Sequence, residues 1–115
     1  MFNSNVRVFS AGLIGLLMSI GGPALADTAD VLSDYIGYTI VAKKTIVGWV
    51  DERREKKGDS FEGCDHGRLI IFDDQTYLKC SEYGYKYSYR PDAIILLRSG
   101  RFVMIVEDDA YDMEN

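Results

Sequence analysis

The spacing of apolar positions changes character along the chain, and each change marks an expected element. From Asp27 to Gly37 (DTADVLSDYIG), Val31, Leu32, Tyr35 and Ile36 recur at i, i+1, i+4 and i+5, one face of a helix. Asp27 or Thr28 is placed to cap it, Asp30 lies near its positive end, and Gly37 is placed as its stop. From Tyr38 to Val50 (YTIVAKKTIVGWV) β-branched residues dominate and the pattern becomes that of a strand. Neither parity is wholly polar. Lys43-Lys44 in its middle predicts a bend or bulge, and Gly48 a second one. A long, bent first strand of this kind serves two parts of one sheet.

Asp51 to Gly63 (DERREKKGDSFEG) is a charged connection with Gly58 at its expected tip. Gly67 to Cys80 (GRLIIFDDQTYLKC) then reads as a hairpin. The uninterrupted run Leu69 to Phe72 fits a strand buried on both faces. Asp73-Asp74-Gln75 breaks the run with turn-forming side chains. With Asp74-Gln75 as a two-residue turn, Asp73 would face Thr76, and Cys80 would face Leu69. In Ser81 to Arg90 (SEYGYKYSYR) every second residue from Tyr83 to Tyr89 is tyrosine. If extended, all four rings project from one side. Pro91 favours an extended Arg90. Asp92 to Val106 is a second hairpin, turning at Ser99-Gly100. That turn sets Arg98 opposite Arg101, Leu97 opposite Phe102, Leu96 opposite Val103 and Ile95 opposite Met104. Glu107 to Asn115 reads as an acidic tail without periodicity. The expected class is mainly β: a small, partly open barrel of about five strands with one short N-terminal helix.

The first 26 residues have a different origin. Arg7 supplies a positive n-region, Ala11 to Ile20 an apolar core, and Gly21-Gly22-Pro23 a helix break. Ala24-Leu25-Ala26 then completes the pattern of an export signal. The core is shorter than the ~20 residues a membrane span requires. Export with cleavage before Asp27 is the expectation, leaving residues 27–115 as a single small β domain in the periplasm or outside the cell. No membrane span remains after cleavage. Arg7 is the one charged residue removed, so the mature chain balances 12 bases against 18 acids, a charge of −6. This balance argues against nucleic acid as a partner. In an exported chain the two cysteines, Cys64 and Cys80, read as a disulfide. Its loop would contribute about 3 kcal/mol to a domain too small to be stable by core burial alone. For the two to meet, the chain between Cys64 and Arg68 must fold back, with Gly63 and Gly67 as hinges.

Few residues point to chemistry. The tyrosine row, Tyr83, Tyr85, Tyr87 and Tyr89 with Lys86 and Arg90 beside it, suits stacking on sugars or packing against a peptide. The alternative is that the rings cover a curved sheet. Cys64-Asp65-His66 with Cys80 could hold zinc or copper if the thiols were reduced, but the spacing matches no standard zinc pattern. Asp73-Asp74 and Asp108-Asp109 lack the spaced ligands of a calcium loop. There is no phosphate-binding glycine loop, no G-x-S-x-G and no H-E-x-x-H. The reading is therefore not an enzyme, with no cofactor and no metal.

The block FDDQTYLKCSEYGYKYSYRPDAIILLRSGRFVMIVED resembles a pattern in small exported bacterial proteins. There an acidic turn and an aromatic strand lead through a Tyr-containing segment and an Arg-Pro-Asp turn into a closing hairpin. DYIGYTIVAKKTIVGWVD is similar to the upstream part of uncharacterised exported proteins. The resemblance implies a small SH3-like β-barrel and export, and it implies no activity. The expectation is a non-catalytic binding module for an unknown envelope protein or polymer. Beside it stand an acidic inhibitor of a basic exported hydrolase and a metal-binding protein using His66.

Overall fold

The computed structural model describes residues 22–115. Most of the expected export signal, including Arg7 and the apolar core, lies outside the described residues. A helix, α1 (Gly22–Ser33), is followed by seven strands. They are β1 (Thr39–Asp51), β2 (Lys56–Gly58), β3 (Leu69–Phe72), β4 (Tyr77–Cys80), β5 (Asp92–Arg98), β6 (Arg101–Val106) and β7 (Asp109–Glu114). Their order is β2-β1-β3-β4-β7-β6-β5, and β5 pairs back onto β1. Six strands therefore close a barrel, and β2 is an extra strand beside the end of β1. The barrel is not partly open, and it has more than five strands.

Two features of the sequence account for the closure. The first is β1. Its first half, Thr39 to Thr45, pairs with β5, and its second half, Ile46 to Val50, pairs with β3. Register shifts fall between Ile40 and Ala42 and between Ile46 and Gly48. The first bulge thus lies before Lys43-Lys44, and the second lies beside Gly48. The other feature is β7, which occupies the segment that reads as an acidic tail without periodicity. Tyr111 and Met113 point into the core while Asp112 and Glu114 are exposed, an alternation that the neighbouring acids obscure. β7 bridges β4 to β6 and completes the ring.

The interior is filled by alternate residues, among them Ile46, Phe61, Ile70, Phe72, Met104 and Val106, each at most 1% exposed. In β3 only Ile70 and Phe72 face inward, whereas Leu69 and Ile71 are half-buried outside. The strand buried on both faces is β6, because its outer residues Val103 and Ile105 join Leu96 in a second cluster. Val31, Leu32, Tyr35 and Tyr38 cover that cluster. The helix begins earlier than its apolar spacing predicts, with Pro23 in its first turn, where a missing N–H is tolerated. It also ends earlier. The N–H groups of Asp34 and Tyr35 donate three residues back to Val31 and Leu32, tightening the chain out of the helix. Tyr35 still packs, but Ile36 is 82% exposed.

Both hairpins show their registers directly. The β5–β6 pairing sets Arg98 opposite Arg101, Leu97 opposite Phe102, Leu96 opposite Val103 and Ile95 opposite Met104, as the Ser99-Gly100 turn predicts. In β3–β4 the loop is one residue longer than a two-residue turn. Ile70 faces Leu78, and Phe72 donates its N–H to Thr76. Gln75 takes a positive φ of 70°, the usual geometry of a three-residue loop. Cys80 consequently pairs with Arg68 rather than Leu69. The charged 51–63 connection is more ordered than a loop: a single 3-10 turn, Glu52–Arg54, returns the chain as β2, which pairs Lys56 to Gly58 with Asp51 to Trp49.

Candidate functional site

Ser81 to Arg90 is extended but belongs to no strand. Two bridges hold it, Gly84 to Cys64 and Ser88 to Phe61. In each pair both backbone N–H groups donate across, at 2.8 to 3.0 Å. This alternation turns Gly84, Lys86 and Ser88 inward and the tyrosines outward. Tyr83, Tyr85, Tyr87 and Tyr89 are 66, 67, 56 and 68% exposed. Alternate residues of an extended chain stand ~6.5–7 Å apart, so the four rings form a ledge on one side of a single segment.

Beneath the ledge the structure is dense. The Tyr111 ring lies under Gly84 and meets Phe61 edge-on, with centroids 5.5 Å apart. Burial, aided by the charge of Asp109, pushes the Tyr111 hydroxyl up to about 12. Lys86, expected beside the rings, lies below them. Its ammonium is 2.5 Å from Asp108, 3.0 Å from Asp109 and 3.4 Å from Glu107. Hydrogen bonds to Asp108 and Asp109 raise its pKa, and the same contact lowers that of Asp108. The Ser88 hydroxyl donates to Glu107, 2.9 Å away. Arg90 does not adopt the extended conformation expected before Pro91. It has φ 44°, and its Nε donates to the Asp59 carbonyl at 3.0 Å. Its guanidinium lies 5.6 Å from the Tyr89 ring centre. The ledge thus presents rings, with Arg90 the one base at their edge and Lys86 neutralised underneath.

Cys64 and Cys80 are disulfide-bonded, with Cα atoms 5.6 Å apart and both residues buried. The chain folds back as the cysteine spacing requires, through Gly63 (φ 82°) and Gly67 (φ 83°). A Cβ at Gly63 would run into the Gly84 carbonyl oxygen, so this glycine also lets the loop approach the tyrosine segment. The bond removes both sulfurs from any metal set. Among the described residues no group of three or more His, Cys, Asp or Glu side chains is placed to hold a metal ion. His66 is exposed at a polar cleft of about 210 Å³ that also includes Arg54, Asp65 and Lys79. There the Arg54 guanidinium, 2.6 Å from Asp65, lowers the pKa of that carboxyl.

The other acidic pairs serve the fold. Asp74 accepts from the hydroxyl and N–H of Thr76 and lies 2.9 Å from Lys44. The Thr76 hydroxyl and Lys44 hold its carboxyl at about 2. Asp108 and Asp109 are the ligands of Lys86. An apolar cleft of about 330 Å³ is lined in part by Val41, Phe72, Tyr77 and Phe102, but its lysine, Lys44, is already held by Thr76 and Asp74.

Sequence reasoning missed a group centred on Arg68. Its Nε and Nη2 donate to the two Asp51 oxygens at 2.9 and 3.1 Å, and its Nη1 reaches the carbonyls of Glu62 and Gly63. The guanidinium lies 4.0 Å from the Trp49 ring centre, and the Trp49 indole N–H donates to Glu62. No family model matches the chain, and no curated protein or solved structure matches it.

Proposed function

We propose that the mature chain is an exported, non-catalytic binding module that holds an envelope protein or polymer on its tyrosine ledge. The observation that carries this reading is the exposure of Tyr83, Tyr85, Tyr87 and Tyr89 on one side of a segment pinned by two backbone bridges. The rings cover no core, so packing does not account for them. Large, stiff amphipathic side chains on a fixed backbone lose little entropy on binding, which suits them to recognition. The disulfide fits an oxidising compartment, and with the A-x-A pattern it supports a periplasmic or secreted location. We take the barrel to be of SH3-like type because its long, bent first strand is shared by two parts of the sheet.

The inhibitor reading predicts strong dependence on salt, whereas contact through rings predicts little. The test uses the mature domain and isolated cell-envelope fractions, with wild type compared against Tyr85→Ala/Tyr87→Ala. The expected result is retention of the wild type at both low and high salt, and loss of retention in the double variant with an unchanged melting temperature. Equal retention of the two proteins overturns the ledge as the binding surface. Retention of wild type at low salt alone favours the inhibitor.

A further inference from the structure

The turn joining β5 to β6 brings two arginines face to face. Arg98 and Arg101 are direct cross-strand partners, and the intervening Ser99 and Gly100 both have positive φ, 51° and 81°. This is the tight two-residue turn that sets its flanking residues directly opposite each other. Arg98 follows Leu96 by two residues and Arg101 precedes Val103 by two, so both side chains leave the hairpin on the face that α1 covers further along. The Arg98 guanidinium rests against the backbone of Gly37, where an added Cβ would stand 3.1 Å from its Nη1. Tyr38, Arg98, Ser99 and Arg101 line a cleft of about 220 Å³.

Like charges directly across a strand pair repel and destabilise the pair. Among the described residues neither guanidinium has an ion-pair or hydrogen-bond partner, although the chain carries 18 acidic residues. Lys43, Lys44, Arg54, Arg68 and Lys86 each lie within 4 Å of a carboxylate. Arg53, Lys56, Lys57 and Lys79 are exposed like Arg98 and Arg101, but only Arg98 and Arg101 face each other across a turn and line one cleft. Two guanidiniums lining one cleft supply forked donors and a charge of +2, the kind of recognition that suits a phosphate group. From this geometry we propose that Arg98 and Arg101, with Tyr38 beside them, form a binding site for a phosphate group. The site is distinct from the tyrosine ledge. Lys86, below the ledge, contacts the turn at the far end of β6, about five residue steps or ~17 Å from Arg101.

The probe is inorganic phosphate at fixed ionic strength, balanced with sodium chloride and followed by amide chemical shifts and thermal melting. Wild type should show saturable shifts at residues 37–38 and 98–101, with half-saturation on the order of millimolar. Arg98→Gln and Arg101→Gln should each weaken binding by about tenfold, the loss expected for one charge-assisted donor set. Tyr85→Ala should bind as wild type. Both arginines are exposed, so the variants are expected to fold, and unchanged dispersion of the remaining amide spectrum checks this. Without phosphate at low salt, Arg101→Gln should melt at or above wild type because the repulsion is gone. Glycerol phosphate binding as well as inorganic phosphate would point to a phosphate carried on a larger molecule, and clearly weaker binding to the free ion. Non-saturating shifts like those of chloride, equal binding by Arg101→Gln, or acetate binding as tightly as phosphate would overturn the site.

Discussion

Arg68 shows how one side chain joins segments far apart in the chain. Its side chain is 12% exposed and that of Asp51 is 9%, so the pair is largely out of water. Such a pair contributes little relative to apolar packing, yet removing Arg68 leaves the Asp51 carboxylate with only the longer 3.8 Å contact to Arg54. Arg68→Ala is therefore expected to cost about 3–5 kcal/mol in urea unfolding. Arg68→Lys should cost less, because one ammonium keeps the charge but cannot serve two carboxylate oxygens and two carbonyls together. A loss under about 0.5 kcal/mol for Arg68→Ala, the ordinary range of surface changes, would show that the pair is not a structural hub. This group was not legible in the sequence. Trp49, Asp51, Glu62 and Arg68 share no periodicity, and only the pairing of β1 with β3 and the fold-back at Gly63 bring them together.

Among the elements, the tyrosine segment depends on the staple beside it. Cys64 carries the disulfide to Cys80 on β4 and, through its backbone, the bridge to Gly84. Loss of the bond in Cys64→Ser/Cys80→Ser should lower stability by about 3 kcal/mol. It should also speed amide exchange at Cys64 and Gly84 more than in β5 and β6, and weaken envelope retention with every tyrosine intact. Uniform exchange across all elements would argue that the segment is held without the staple. The staple and the common side of the four rings were both legible, one from cysteine count and hinge glycines, the other from strict alternation; that this side faces solvent was not. The conformation of Arg90 was not, because its left-handed backbone is held by the Asp59 carbonyl, a partner 31 residues away.

At the scale of the whole molecule, an acidic surface is organised around local partners. The carboxyls of Asp65, Asp74, Asp92 and Asp108 all have lowered pKa values, through Arg54, Thr76, Thr45 and Lys86 respectively. A folded value below the unfolded one, ~3.9 for Asp, stabilises above that value and is lost as pH falls through the folded pKa. The melting temperature should therefore fall from pH 5 downward, with the Asp74 contribution disappearing as pH approaches about 2. Asp74→Asn should lose less between pH 4 and pH 2 than wild type does. Parallel acid limbs for the two proteins would remove Asp74 from the account.

The β class, the two hairpins, the β5–β6 register and the alternation of the tyrosines were determined by the sequence itself, because each depends on neighbours within a few residues or on a two-residue period, and the disulfide because the chain has only two cysteines to join. Three features were decided only by the tertiary structure: the closure of six strands, the conversion of the acidic tail into β7, and the fates of Lys86 and Arg68. The closure and the fate of Lys86 depend on pairing between distant segments, as β5 with β1 and β4 with β7, while β7 itself is a hairpin arm on β6 that the acidic residues disguise. Lys86 is the clearest case, since the strand parity that directs four tyrosines to solvent also directs the lysine inward. Whether it met water or three carboxylates was settled by where the β6–β7 turn came to rest.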